Sequence, residues 1–307
     1  MIARLAGLWL LLACWLALPG AARAEDQGQL LQFEHVSAAG LPEQRLTVWL
    51  PPGYDRSKRR YGVVYMHDGH NLFELKYSNF NKIWAVDKAM LAAMRSGRVD
   101  PHIVVGIWAP GADRYRQYLP QDIYRTSSGD LLVQMDKLAA GPVMSEAYLA
   151  WLAGPLKRWV DGRFRTLSDR DHTAIAGSSM GGLVSCYAFL RYPATYGRAA
   201  CISSHWPAAI PGEVGVTNPA LAAMWDGWFA ARLGRPDGRR LWLDHGTATL
   251  DAHYAPYQQA VDARIAAMGW RRGRDWQSKV YPGAEHEENA WAARLPEIFG
   301  WLLRRSR

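Results

Sequence analysis

Apolar residues fall along this chain in short runs that alternate with longer stretches of helical spacing. Residues 29–36 and 45–50 alternate apolar with polar positions as edge strands do, and Pro51-Pro52-Gly53-Tyr54 breaks the second. Residues 61–66 are β-branched or aromatic apart from Gly62, the composition of a strand covered on both faces. Residues 84–94 bring Trp84, Val86, Ala89, Met90 and Met94 onto one helical stripe, and 102–108 read as a second buried strand stopped by Ala109-Pro110-Gly111. Residues 113–126 read as a long loop carrying Arg114, Arg116, Tyr118 and Tyr124. Residues 145–160 predict an amphipathic helix capped by Ser145 and kinked or split at Gly154-Pro155. Strands at 172–176, 198–203, 240–244 and 277–281 then alternate with helices at 182–190, 253–268 and 289–303. Strand and helix in strict turn predict an α/β protein, a mostly parallel central sheet with helices on both faces joined by right-handed crossovers. A tryptophan-rich insert at 205–238 interrupts the rhythm and reads as a cap on a single domain spanning 25–307.

One junction in this rhythm carries chemistry. The apolar run 172–176 enters Gly177-Ser178-Ser179-Met180-Gly181, and a helix-compatible run leaves it. Gly-x-Ser-x-Gly between a strand and a helix is a nucleophile elbow: the turn forces its serine into a strained conformation and needs residues without a Cβ two places to either side. That singles out Ser179 as a nucleophile, with Ser178 beside it as a filler.

A serine hydroxyl is a poor nucleophile near neutrality, so Ser179 needs a base within reach and an acid to orient that base. On a strand–elbow–helix sheet the order is serine, acid, histidine. Among the histidines after the elbow, His205 and His245 come too early and His253 starts a helix. His286 lies on the loop after the last strand, in Gly283-Ala284-Glu285-His286-Glu287-Glu288, and is the expected base. For the acid, Asp251 sits in the loop before a helix, free to reach across, whereas Asp244 ends a strand and suits a structural role; Asp251 is preferred. The oxyanion donors expected are the amide of Met180, directly after the serine, and that of His70, in the polar loop that follows the early strand at 61–66. As metal ligands, His67, Asp68 and His70 would sit in one tight turn without a further distant ligand, so no metal is expected and their role is to shape the turn.

Charge and composition narrow the partners. Of 307 residues, 49% are hydrophobic and 21% charged, enough for a sizeable core. The formal charge is +8, yet the basic residues are dispersed beyond short clusters such as Lys58-Arg59-Arg60, which argues for solvated faces and against a nucleic-acid groove. Arg4, the apolar run 5–18 and the small-residue site Ala22-Arg23-Ala24 read as an export signal over 1–24, with acylation of Cys14 as an alternative. The apolar run is short for a membrane span, and none is expected in the mature form. Of the two remaining cysteines, Cys186 and Cys201, a bridge is compatible with export, but two small buried hydrophobes is the reading slightly preferred.

Taken together, these residues resemble the putative esterase family of α/β-hydrolases, the group that includes enterochelin-type esterases, feruloyl esterases, S-formylglutathione hydrolases and mycolyltransferases. The resemblance runs from about Thr47 to Trp291. It rests on Tyr65-Met66-His67-Asp68-Gly69-His70-Asn71-Leu72-Phe73, Asp113-Arg114 with Tyr118 and Pro120, Gly177-Ser178-Ser179-Met180-Gly181-Gly182, Gly246-Thr247, and Gly283-Ala284-Glu285-His286 with Trp291. It implies an α/β-hydrolase fold, Ser179 as nucleophile, His286 as base, and Met180 with His70 as amide donors. Many relatives carry the acid about three residues after the glycine of the Gly-Thr loop, where this chain has Thr249; Asp251 lies two positions later.

Thirteen of fifteen tryptophans follow the signal, and Trp206, Trp225 and Trp228 fall in the insert. Aromatic side chains above a serine would favour a flat or apolar substrate group, with Trp206 as a contact, though tryptophans can equally bind the insert to the sheet. Arg114 and Arg116 would hold a carboxylate or catecholate-like substrate, although solvated surface charges are the commoner role of such residues. The expectation is an exported serine carboxylesterase acting on a small-molecule ester without a cofactor. Acyl transfer by the same residues, and a non-catalytic envelope binding protein on a hydrolase scaffold, are the alternatives; the sequence leaves the natural ester and the oligomeric state open.

Overall fold

The computed structural model describes residues 27–211 and 218–305. Within them each apolar run expected to be a strand is one, and the eight pair into a single sheet. These are β1 (Gln29–Val36), β2 (Gln44–Leu50), β3 (Gly62–His67), β4 (His102–Ile107), β5 (Thr173–Ser178), β6 (Arg198–Ile202), β7 (Arg240–Gly246) and β8 (Trp276–Tyr281). Their spatial order is β1-β2-β4-β3-β5-β6-β7-β8. β2 runs antiparallel to both β1 and β4, and the other pairs are parallel, with Tyr65 opposite Val105 on one side and Ile175 on the other. This is the α/β-hydrolase-like arrangement the element rhythm implied.

Successive strand residues point to opposite faces. In β3, Val63 and Tyr65 enter one apolar cluster while Val64 and Met66 enter another, so neither face has room for a polar position and the run reads as continuously apolar. The second cluster is closed by the helices Val86–Arg95 and Glu288–Leu302, joined where Trp84 meets Trp291 at 5.4 Å between ring centres. The first, larger cluster lies under the helices Ser145–Trp151, Met180–Arg191, Pro219–Arg232 and Ala255–Ala267. The disulfide Cys186–Cys201 ties the helix after the elbow to β6, its Cα atoms 5.8 Å apart, so the bridge is formed where two unpaired hydrophobes were preferred.

Three local expectations need correction. The helix predicted over 145–160 divides as foreseen, into Ser145–Trp151 and Lys157–Arg163, through a widened turn at Leu152–Leu156 that accommodates Pro155. Ser145, however, is not its cap: Met144 holds that position, and the buried Ser145 hydroxyl accepts from the Gln121 amide at 3.0 Å. The stretch read as a loop contains the helices Arg114–Tyr118 and Gln121–Thr126, followed by Gly129–Ala139. The first two are too short for a helical period to show, and Pro120 lies between them. The described part of the insert divides: Pro219–Arg232 is a helix of the core, while His205, Ala209, Ile210 and Pro211 line a pocket beside Ser179. Asn218 caps Pro219–Arg232 through its side chain, Trp225 and Phe229 are fully buried, and Arg264 grips Asp226 with two hydrogen bonds of 2.8 Å. The expected export signal and Cys14 lie outside the described residues. No described helix is long and apolar enough to cross a membrane.

Candidate active site

The first strand crossover runs from β3 to β4, and the next returns past β3 to β5, so the sheet changes winding direction between β3 and β5. The carboxyl ends of strands at such a point form a crevice. Into it project the loop after β3, with Asp68 to Asn71, and the turn after β5, with Ser179.

Ser179 has φ 57° and ψ −127°, a left-handed conformation that a side chain rarely adopts and that costs on the order of 1–3 kcal/mol unless its surroundings enforce it. They do so from both sides. The Ser179 amide donates to the Ile202 carbonyl at 3.0 Å, and the Ser179 carbonyl accepts from the amides of Leu183 and His205. A Cβ on Gly177 would lie 2.7 Å from the Gly181 backbone, and one on Gly182 would lie 2.8 Å from the Ile202 carbonyl oxygen. A Cβ on Gly181 would be 3.2 Å from the Asp68 carboxylate, so the elbow packs directly on the β3 loop. Met180 opens the next helix, and its amide is among those without a partner inside that helix.

His286 lines the same cleft as Ser179, a cavity of about 790 Å³. Its Nδ1 lies 2.6 Å from Asp251 Oδ1, which places the ring proton on Nδ1 and leaves Nε2 with its lone pair. The other Asp251 oxygen accepts from the Ser203 hydroxyl at 2.6 Å and from the Gly246 amide. Burial alone would raise the Asp251 carboxyl, but the hydrogen bond and charge of His286, with the Ser203 and Gly246 donors, hold it below its usual value. Asp244 has a different role. It accepts from Arg294 Nη1 at 2.8 Å and Trp242 Nε1 at 2.7 Å, faces no histidine, and is raised by burial despite the arginine. Arg294 also donates to the Ser203 hydroxyl at 3.1 Å, so the serine relays a positive charge toward Asp251.

A second buried imidazole supports the first. His205 Nε2 donates to the Ala209 carbonyl at 2.9 Å, which makes His205 Nδ1 an acceptor for the Tyr254 hydroxyl at 2.6 Å. The Tyr254 oxygen then turns a lone pair toward His286 Nδ1, 3.5 Å away. Burial, reinforced by the nearby His286, lowers His205 to about 4 and keeps it neutral.

The β3 loop is fixed with similar care. Asp68 has φ 56° and is clasped by Arg114 through Nε at 2.7 Å and Nη2 at 2.8 Å. Burial pushes the Asp68 carboxyl up, but the Arg114 charge and hydrogen bonds outweigh it and hold it low. His70 accepts from Asn79 at 3.0 Å, and His67 meets the Tyr148 hydroxyl at 3.0 Å. His67, Asp68 and His70 thus each have a separate partner, and among the described residues no group of three or more His, Cys, Asp or Glu side chains is placed to hold a metal.

The structure therefore brings Ser179, His286, Asp251, Met180 and His70 to one crevice. Of the two expected substrate contacts, Trp206 needs correction and Arg114 lies on the cleft. Trp206 is fully buried, donates to Gln258 at 3.1 Å and packs edge-on against Trp225; it lines no part of the cleft, because its ring is turned into the core. Arg114 does line the cleft, but two of its donors are committed to Asp68, so it fixes the loop. Aromatic side chains do wall the cleft, and they come from elsewhere: Tyr77, Phe80, Trp84, Trp108 and Trp291. The sequence reading offers no role for Ser203, Tyr254 and Arg294, and takes up His205 only to set it aside as the base. Arg294 alone left a trace there, as a lone cation on the apolar face of Trp291, Leu295 and Ile298.

Fold and site together define an α/β-hydrolase of the esterase type. The chain belongs to the family described as Putative esterase, whose model matches residues 41–302, and it is a carboxylic ester hydrolase. It is 22% identical over 267 residues to the uncharacterized protein YbbA of Bacillus subtilis, covering 86% of this chain and 94% of that protein. Among solved structures, it resembles an IroE-like serine hydrolase from Shewanella oneidensis (TM-score 0.63, 17% identity, 88% of this chain and 80% of that one). It also resembles the feruloyl esterase module from Clostridium thermocellum (TM-score 0.59, 16% identity, 92% and 91%).

Proposed function

We propose that this protein is an exported serine carboxylesterase that works through an acyl-enzyme. The observation that carries this reading is the 2.6 Å bond from His286 to a buried Asp251, on the wall of a cleft that also holds Ser179 in its strained elbow. His286 Nε2 takes the Ser179 proton as the hydroxyl oxygen attacks the ester carbonyl, and Asp251 stabilises the imidazolium that forms. The oxyanion of the tetrahedral intermediate is held by the amides of Met180 and His70. Collapse expels the alcohol, protonated by His286, and leaves the acyl group on Ser179; water activated by the same imidazole then releases the acid.

Export is supported by the charged, apolar and small-residue order of the first 24 residues and by a buried disulfide, which suits an oxidising compartment. The test of mechanism is Ser179→Ala. It should stay folded, lose essentially all hydrolysis of nitrophenyl esters and fail to react with a fluorophosphonate probe that labels the wild type. Retained turnover would exclude the serine mechanism. Screening aryl, feruloyl, siderophore and acyl-sugar esters against this blank would define the natural substrate.

A further inference from the structure

Ser179 stands on a ridge between two depressions. One is the aromatic and charged cleft that contains His286, Lys82 and Glu287. The other, of about 250 Å³, is lined by Leu138, Ala209, Ile210, Pro211 and Leu250 together with Tyr115, Met180 and His205. Among the described residues, only Ser179 and Leu250 line both. An ester held at Ser179 therefore has one half in each.

The position of the base decides which half goes where. The departing alcohol oxygen must come within hydrogen-bond reach of His286 Nε2, since that nitrogen returns the proton. His286 belongs to the cleft and not to the smaller pocket, so the alcohol occupies the cleft and the acyl group the pocket. The pocket also specifies chemistry. The Tyr115 hydroxyl donates to the Ala208 carbonyl and both His205 nitrogens have partners, so Ser179 aside, its polar side chains present no free donor to a substituent. Its rim instead carries Ile210 and Leu250, which are 44% and 39% exposed and gain by being covered. Its volume lies below the about 300–1,000 Å³ typical of pockets for drug-sized ligands.

Resting on the serine-esterase reading above, we infer that this pocket is the acyl subsite and takes a short aliphatic acyl group, while the aromatic cleft takes the alcohol. The test compares kcat/KM for nitrophenyl acetate, butyrate and benzoate, with fluorophosphonate labelling alongside. Each methylene buried contributes roughly fourfold, so wild type should prefer butyrate, two methylenes longer, to acetate by about fifteenfold, and butyrate to benzoate. Ile210→Trp fills the pocket and should bring the butyrate-to-acetate ratio to one or below. Leu138→Trp, on the facing wall, should do the same and serves if the first variant misfolds. Labelled enzyme that prefers benzoate, shows no chain-length preference, or keeps its ratio in both variants would overturn the subsite while leaving the serine mechanism standing. Absence of both labelling and turnover would remove both.

Discussion

Asp244 and Asp251 are both buried carboxylates near the end of the same strand, yet their surroundings give them opposite tasks. Asp251 faces His286 and is held ionised by its donors; Asp244 faces Arg294 and is raised by burial. Asp251→Asn keeps the shape but offers the imidazole the wrong hydrogen-bond partner, and should lower kcat by about 10³–10⁴-fold, as loss of the orienting acid does in serine hydrolases generally. Asp244→Asn removes the carboxylate nearest the buried Arg294, leaving its guanidinium the Ser203 hydroxyl, the Ala290 carbonyl and a 3.9 Å approach to Asp251, and should cost about 3–5 kcal/mol of stability while folded molecules keep turning over. Kinetics and urea unfolding of the two variants separate these effects, and a larger kinetic loss in Asp244→Asn would reassign the acid. Ser179 and its flanking glycines were legible in the sequence because their geometry is set within five residues. Ser203, His205 and Tyr254 were not, because each matters only through a partner brought from a distant strand or loop.

The elements were legible wherever both faces of a strand are buried or a helix is long enough to show its stripe. They were hidden where a segment is short, as at Arg114–Tyr118, or apolar nearly all round, as in Pro219–Arg232, whose tryptophans give no polar face to orient it. The disulfide belongs to this scale too, since it joins the helix that starts at the nucleophile to the strand that runs into Ser203, whose hydroxyl donates to the acid. Its cysteines are 15 residues apart, a loop whose closure contributes about 3 kcal/mol. The double variant Cys186→Ala/Cys201→Ala should therefore unfold at lower urea with that loss. An unchanged midpoint, or an intact mass showing two free thiols in the wild type, would show that the bridge does not form.

For the whole molecule, the burial that builds the site also sets its tolerance of acid. Burial lowers His67 to about 3, with the Arg114 charge adding to it, and lowers His102 and His205 to about 4. In the unfolded chain each returns to about 6.5. Between pH 6.5 and 4 the unfolded state therefore binds protons that the folded state refuses, so stability must fall as pH falls, by up to about 1.4 kcal/mol per pH unit for each histidine. Asp68 and Asp251, whose carboxyls are held low, keep their contribution through this window and lose it only below about pH 4. Asp244 and Glu288, raised by burial, act in the opposite sense just above the ordinary carboxylate range. The histidine effect should therefore be cleanest between about pH 6.5 and 5. Urea midpoints are expected to be level from pH 8 to 7 and to decline steadily over that range. Because His67 underlies the elbow and His205 donates its amide to Ser179, esterase activity after incubation should fall along the same curve. A level midpoint down to pH 5 would mean that these imidazoles accept protons in the native state, and that the support beneath the nucleophile is wetter than its packing implies.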